Sequence, residues 1–307
     1  MDESSFHSAW ITADGAVNST GSVSSAFPWW SFTKTVMAIC ALRLFEDGQL
    51  DLDAQLRDKP YTLRQLLQHR SGLPDYGPLK TYHEAVARND TPWSRDRLLD
   101  AVGGDQLVFP PGSGWAYSNV GYMLVRETIE EITGRDLATT LRDMVFAPLP
   151  VPSVRLAATP ADFSEVFWPD LRTYDPRWVY PGCLIGTPVD AAMVLHALLR
   201  GWILKPATLR SMLNRHDLGD AVPGRPWTAC GYGLGLMSGL MGEAARAIGH
   251  SGAGPHSVNA VYHFPDLAVP ITVATFTSGD TDGPAEAEAM SIALRVGQGL
   301  LPTLSRR

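Results

Sequence analysis

Lysine is scarce in this chain. Lys34, Lys59, Lys80 and Lys205 are the only four, and nowhere do basic residues gather into a block. With a net charge of -7 and an isoelectric point of about 5.6, the surface offers no electrostatic footprint for nucleic acid or an anionic membrane. Cysteine is equally sparse. Cys40, Cys183 and Cys230 are odd in number, widely spaced and without a C-x-x-C pair, so they read as buried thiols or small packing residues. The eight histidines are scattered with no H-E-x-x-H, so neither a metal site nor any other cofactor is expected. No apolar stretch is long enough to span a bilayer, because Arg43 and Glu46 interrupt the best candidate. Repeats and low-complexity tracts are missing too. The N-terminal Met1-Asp2-Glu3-Ser4-Ser5-Phe6 lacks the positive and apolar regions of a secretory signal, which points to the cytoplasm; a chain trimmed of its signal would read the same. What remains is 307 residues, 45% of them hydrophobic, enough for one large domain or two interlocked ones.

Against that background one lysine stands where it needs a reason. Ser31-Phe32-Thr33-Lys34 lies between Pro28-Trp29-Trp30 and the apolar run Val36-Met37-Ala38-Ile39-Cys40-Ala41-Leu42. If that run is a helix, Ser31 falls in its first turn and Lys34 one turn on, on the same face. The helix is apolar on nearly all sides and so is expected to be buried, and burying a lysine is costly unless it has a partner. A serine hydroxyl becomes a useful nucleophile when a neighbouring base takes its proton. Unpaired N–H groups at a helix start favour the negative charge of acyl transfer. On this stretch alone a structural lysine is the competing reading, since S-x-x-K arises about once by chance in a chain of this length.

Taken in order, Phe6–Ala26 predicts a hairpin with a two-residue Asp14-Gly15 turn. The helix carrying Ser31 should end near Asp47-Gly48. A mostly helical middle follows, with short helices over Thr62–His69 and Trp93–Val102 and a longer one after Tyr117-Ser118-Asn119, ending at Gly134. His69 is expected to buttress the Ser71-Gly72 turn. Residues 150–185, rich in proline and tryptophan, read as ordered loop, and Thr187-Pro188-Val189-Asp190 starts a helix running to about Arg200. Strands are expected over Tyr232–Ser238, Ala245–Ser251, Val258–Phe264 and Val269–Thr277, then a helix over Ala285–Leu300. The fold class is therefore α+β: an antiparallel sheet built from both chain termini and flanked by helices, with a mostly helical insertion. Residues 1–52 with 225–307 would form the sheet subdomain and 53–224 the helical one, with the active site between them.

Two further motifs join the tetrad: Tyr117-Ser118-Asn119, and His250-Ser251-Gly252-Ala253 on a predicted strand, where glycine permits close backbone approach. In the order S-x-x-K, Y-S-N, H-S-G, the chain resembles the serine β-lactamase and penicillin-binding-protein superfamily. It is most similar to the class C branch, with its β-lactamase-like esterases, D-Ala-D-Ala carboxypeptidases and D-aminopeptidases. Leu66-Leu67-Gln68-His69-Arg70-Ser71-Gly72-Leu73-Pro74, Phe109-Pro110-Pro111-Gly112 and Tyr232-Gly233-Leu234-Gly235-Leu236 carry the likeness further, over about residues 25–278. The resemblance implies Ser31 as the acylated nucleophile and Lys34 as the group that holds or takes its proton. It implies Tyr117 as general base and acid, a phenol whose pKa a neighbouring ammonium would lower. Asn119 would orient the substrate amide or Lys34, and the backbone N–H groups of Ser31 and Ala253 would form the oxyanion hole. His250, Ser251 and Gly252 would line the opposite wall, with Ser251 placed to bind a substrate carboxylate. Class C β-lactamases usually carry lysine where this chain has His250, so a fixed positive charge gives way to a group mostly neutral near pH 7.

The resulting expectation is a serine hydrolase acting on an ester, an amide or a short peptide, with weak or no β-lactamase activity. A β-lactamase proper and a penicillin-binding-like acyl trap are the alternatives, and the oligomeric state is open. Gly249-His250-Ser251-Gly252-Ala253 also comes within one residue of the G-x-S-x-G nucleophile elbow, which must sit between a strand and a helix.

Overall fold

A computed structural model describes residues 5–301; Met1–Ser4 of the acidic N-terminal segment lie outside the described residues. The hairpin forms as β1 (His7–Thr12) and β2 (Val17–Thr20). Its loop is longer than the expected two residues: Thr12 and Ala16 close it through Thr12 N–H to the Ala16 carbonyl at 3.2 Å, with Gly15 at φ +83°. A three-residue loop ending in a left-handed glycine adds the twist that lets the strands stay paired. After β3 (Phe27–Pro28) comes α1 (Phe32–Glu46), nearly all of it buried, which ends as expected at Asp47 with Gly48 left-handed.

The middle of the chain is helical: α2 (Leu63–Leu67), α3 (Lys80–Ala87), α4 (Arg95–Val102), α5 (Asn119–Thr133) and α6 (Leu137–Leu141), the last running into a π turn at Arg142–Phe146. Of these, α3 and α6 fall where no helix was predicted. The stretch 150–185 is not all loop. It supplies β4 (Arg155–Ala157), the short α7 (Pro160–Phe163) and β5 (Cys183–Gly186), and β5 pairs with both β3 and β4 in a three-stranded sheet. Each strand is too short to show a period in sequence. Then come α8 (Pro188–Leu199), with the expected capping box between Thr187 and Asp190, α9 (Pro206–Leu213) and β6 (His216–Gly219).

The C-terminal third gives β7 (Trp227–Tyr232), β8 (Met237–Met241), β9 (Arg246–Gly254), β10 (Ser257–Phe264), β11 (Ile271–Ser278) and α10 (Gly283–Gly297). The continuous strand expected over Tyr232–Ser238 is broken: Tyr232 ends β7, Met237 begins β8, and residues 233–236 form the turn between them. Gly235 there has φ +76°, and a Cβ would come within 2.4 Å of Ala38 on α1, so the backbone itself packs on that helix. The large sheet runs β2-β1-β11-β10-β9-β8-β7-β6, antiparallel throughout. Strand alternation divides its faces. Trp10, Ala260, Tyr262, Phe264, Ile271 and Val273 pack with α10, while Ile11, Val261, Ala274 and Phe276 join the core formed with α1 and α8. Cys40, Cys183 and Cys230 are buried free thiols. Among the described residues no helix is long and apolar enough to cross a membrane.

Candidate active site

Ser31 sits at the turn into α1, in helical conformation but making no side-chain cap, so its hydroxyl is free for other partners. Trp30 just before it has φ +41°, a costly conformation for an aromatic residue. Its indole N–H donates to Ser257 Oγ at 2.9 Å, and its ring packs against Phe163 and Tyr174. Such over-determined strain is what fixes a short turn in one geometry. The flanking tryptophans are therefore core, Trp29 fully buried and Trp30 nearly so, although Trp30 also lines the site cavity.

The three side chains expected to meet do meet. Tyr117 OH donates to Ser31 Oγ at 2.7 Å, and Lys34 Nζ lies 3.1 Å from the same oxygen. Lys34 is 2% exposed. Its ammonium also donates to Asn119 Oδ1 at 2.7 Å and stands 5.0 Å and 5.6 Å from the ring centres of Tyr117 and Tyr122. Asn119, the first residue of α5, is thus a ligand to the lysine. Burial lowers the Lys34 pKa to about 8, with Asp75 pulling the other way. The expectation of a depressed phenol fails: burial pushes Tyr117 up, outweighing its hydrogen bond to Ser31. Tyr117 is a neutral donor at rest, and Lys34 titrates closest to neutrality.

Sequence reasoning missed Asp75, although it directly follows the quoted Leu73-Pro74. Its carboxylate accepts the Asn119 backbone N–H at 2.8 Å and side-chain Nδ2–H at 3.2 Å, which turns Asn119 Oδ1 toward Lys34. Burial raises the Asp75 pKa against those bonds. Asp75→Ala is expected to lower kcat/KM on p-nitrophenyl acetate by roughly 10- to 100-fold, the size of one to two lost charge-assisted hydrogen bonds; an unchanged rate would show that Asn119 needs no such anchor.

His69 does not buttress the Ser71-Gly72 turn as expected. Its Nδ1 accepts the Ser118 N–H at 3.1 Å and its ring lies 4.3 Å from that of Tyr117. Burial lowers its pKa well below the ordinary value, so a neutral imidazole holds the Tyr117 segment.

The opposite wall is β9. Pairing with β8 reaches Gly249, opposite Met237, so the edge from His250 onward is left to face the turn at Ser31. At Gly252 a Cβ would fall 2.7 Å from the Trp29 carbonyl and 2.9 Å from Ser31 N; only glycine lets strand and turn run this close. Ala253 lines the cavity one residue further on. His250, buried, is lowered to about 3 by desolvation and bonds Tyr232 OH through Nε2 at 2.8 Å. Ser251 differs from expectation. It lies opposite Ala260 on the α10 face, its hydroxyl donates to Glu286, and Tyr262 OH is 2.7 Å away, so that proton is not free for a substrate carboxylate. Nor is Ser251 an elbow nucleophile: it stands inside β9, which turns into β10 rather than a helix.

These walls enclose a cavity of about 940 Å³, in the range of small-molecule sites. Hydroxyl, amine and phenol open on it together, which is the apparatus of acyl transfer through a serine ester. The sequence matches the Beta-lactamase family over residues 5–297. The chain belongs to that family. Among its relatives, esterase EstB of Burkholderia gladioli is 26% identical over 319 residues, covering 86% of this chain and 80% of the esterase. Lovastatin esterase of Penicillium rubens is 25% identical over 275 residues, 67% of each chain. Other matches to penicillin-binding and D-aminopeptidase relatives span about a third or less of those proteins. Among solved structures, the D-amino acid amidase of Ochrobactrum anthropi SV3 superposes with a TM-score of 0.76 at 23% identity, covering 96% of this chain and 94% of the amidase. That likeness carries the fold.

Proposed function

We propose that the chain is a serine hydrolase that cleaves an ester or amide bond of a small substrate through an acyl-enzyme at Ser31. The observation that carries this reading is the shared contact of Lys34 and Tyr117 with Ser31 Oγ. With Lys34 neutral, hydrogen bonds run from Tyr117 OH to Ser31 Oγ and from Ser31 O–H to Lys34 Nζ. Ser31 then attacks the carbonyl carbon while Lys34 takes its proton. The tetrahedral oxyanion is held by the N–H groups of Ser31 and Ala253. As the scissile bond breaks, Tyr117 protonates the leaving group and recovers a proton from the Lys34 ammonium. Water repeats the sequence to free the acid. Supporting an ester or amide over a β-lactam is His250, neutral and bonded to Tyr232 where a lysine charge would help hold a carboxylate.

A panel of p-nitrophenyl esters, D-alanyl amides and nitrocefin, run across pH, tests the proposal. Turnover is expected on esters or amides, with little on nitrocefin. Since neutral Lys34 is the acceptor, kcat/KM should rise with pH and level off above about 8, falling about tenfold per unit below it. A flat profile from pH 6 to 9 would remove Lys34 as base, and rapid nitrocefin turnover would show that the His250 substitution does not matter. A burst without steady turnover would favour an acyl trap.

A further inference from the structure

The wall across from the nucleophile holds a charge arrangement that the proposed reaction does not use. Arg225, in the turn before β7, lines the cavity beside Ser251, with 3.4 Å between Nη2 and Oγ. A guanidinium next to a serine hydroxyl on the wall of an acyl-transfer site is a ready anchor for a carboxylate. Here the protein fills that anchor itself. Glu286, on α10 and completely buried, takes Arg225 on both oxygens: Nε donates to Oε2 at 2.8 Å and Nη2 to Oε1. The same Oε1 accepts from Ser251 Oγ, from Tyr262 OH at 3.1 Å and from Trp227 Nε1 at 3.0 Å. Asp282, one turn earlier and itself on the cavity wall, stands 3.3 Å from Arg225 Nη1. Two carboxyl groups thus face one guanidinium, and Asp280 lines the cavity next to them.

The arrangement is built into the fold rather than left to side-chain choice. At Gly283, where α10 begins, a Cβ would meet the Gly224 carbonyl oxygen at 2.1 Å, so the bare backbone lets α10 close on the turn that carries Arg225. Tyr262 on β10 and Trp227 on β7 then hold the Glu286 carboxylate from the sheet side. A substrate carboxylate entering here meets a guanidinium already paired with the carboxyl groups of Glu286 and Asp282 and a serine whose proton is already given.

We propose that Glu286 is a specificity-determining residue: an internal carboxylate that occupies the Arg225–Ser251 anion subsite, so the site accepts neutral or cationic esters and amides and turns away substrates bearing a carboxylate next to the scissile bond. This rests on the acyl-transfer reading of the same cavity, and it separates the protein by substrate charge from hydrolases that anchor a substrate carboxylate.

The test uses two thioesters with one acyl group, one with mercaptoacetate and the other with mercaptoacetamide as leaving group, so that they differ only in charge. Wild-type kcat/KM is expected to favour the amide at least tenfold, and Glu286→Gln to narrow that gap at least fivefold. A wild type that is indifferent, or that prefers the carboxylate, overturns the proposal, as does a folded Glu286→Gln protein with an unchanged ratio. Should that variant not fold, the wild-type ratio decides alone. Calorimetric titration of both thioesters into the Ser31→Ala protein separates this proposal from the reading it rests on. If wild type hydrolyses neither compound, the acyl-transfer reading falls, while tighter binding of the carboxamide still supports the charge preference; equal affinity, or no binding of either, overturns it.

Discussion

Replacing Ser31 by alanine is expected to abolish hydrolysis, with kcat on p-nitrophenyl acetate falling by about 10⁴-fold or more, the scale of nucleophile removal in serine hydrolases. The loss should be chemical and not structural. Ser31 occupies the N-cap position yet makes no capping hydrogen bond, so alanine forfeits none of the stability that a capping serine would supply. Among the described residues its hydroxyl bonds Tyr117 and Lys34, the two groups proposed to act with it. The melting temperature is therefore expected to stay within about 3 °C of wild type, a shift that corresponds to about 2 kcal/mol in a domain this large. Circular dichroism melting paired with ester kinetics reads both quantities. Retained esterase activity in a folded Ser31→Ala protein would refute the assignment, and a collapse in melting temperature would make the lost activity uninformative about chemistry.

Tyr117→Phe is expected to cost several hundredfold or more in kcat, within the range of about 10²–10⁴ that a positioned proton donor contributes. Among the described residues the phenol is the only donor in contact with Ser31 Oγ besides Lys34. Without it the nucleophile loses a polarising bond and the leaving group loses its proton source. Phenylalanine keeps the ring that packs on His69 and lies near Lys34, so the loss isolates the hydroxyl. Activated esters, whose leaving groups need no proton, should suffer less than amides. Equal losses on p-nitrophenyl esters and alanyl amides would show that Tyr117 serves attack and not departure. Because burial raises the phenol pKa, the alkaline rise in rate belongs to Lys34 and should persist in the Tyr117→Phe protein.

The parts of this site legible in sequence were those fixed by local rules. Ser31 and Lys34 share a face because helical spacing requires it, and an apolar α1 forces the lysine to find partners inside. The ends of α1 and α5 followed from glycines that take the left-handed conformation, and the start of α8 from Thr187, Pro188 and Asp190. What could not be read was set by tertiary contact. The turn over residues 233–236 looked like strand because its apolar residues alternate, but Gly235 packs its backbone on α1. β3, β4 and β5 are too short for a period and exist only because they pair. The direction of the Tyr117 pKa shift depends on how deeply the phenol is enclosed, which no spacing reveals. Ser251 looked like a free hydroxyl until α10 brought Glu286 against it from 35 residues further along the chain. Asp75 was one residue past a quoted motif, yet its role is visible only once Asn119 lies beside it.

The central claim is that Ser31 is the nucleophile. Labelling the wild-type protein with a fluorophosphonate, which loses fluoride as its phosphorus bonds to an activated serine oxygen, followed by intact mass and peptide mapping, asks this directly. One adduct is expected, on the peptide carrying Ser31, absent from the Ser31→Ala protein and formed faster as pH rises toward 8. Modification at Ser251, or a Ser31→Ala protein that labels as fast as wild type, would contradict it.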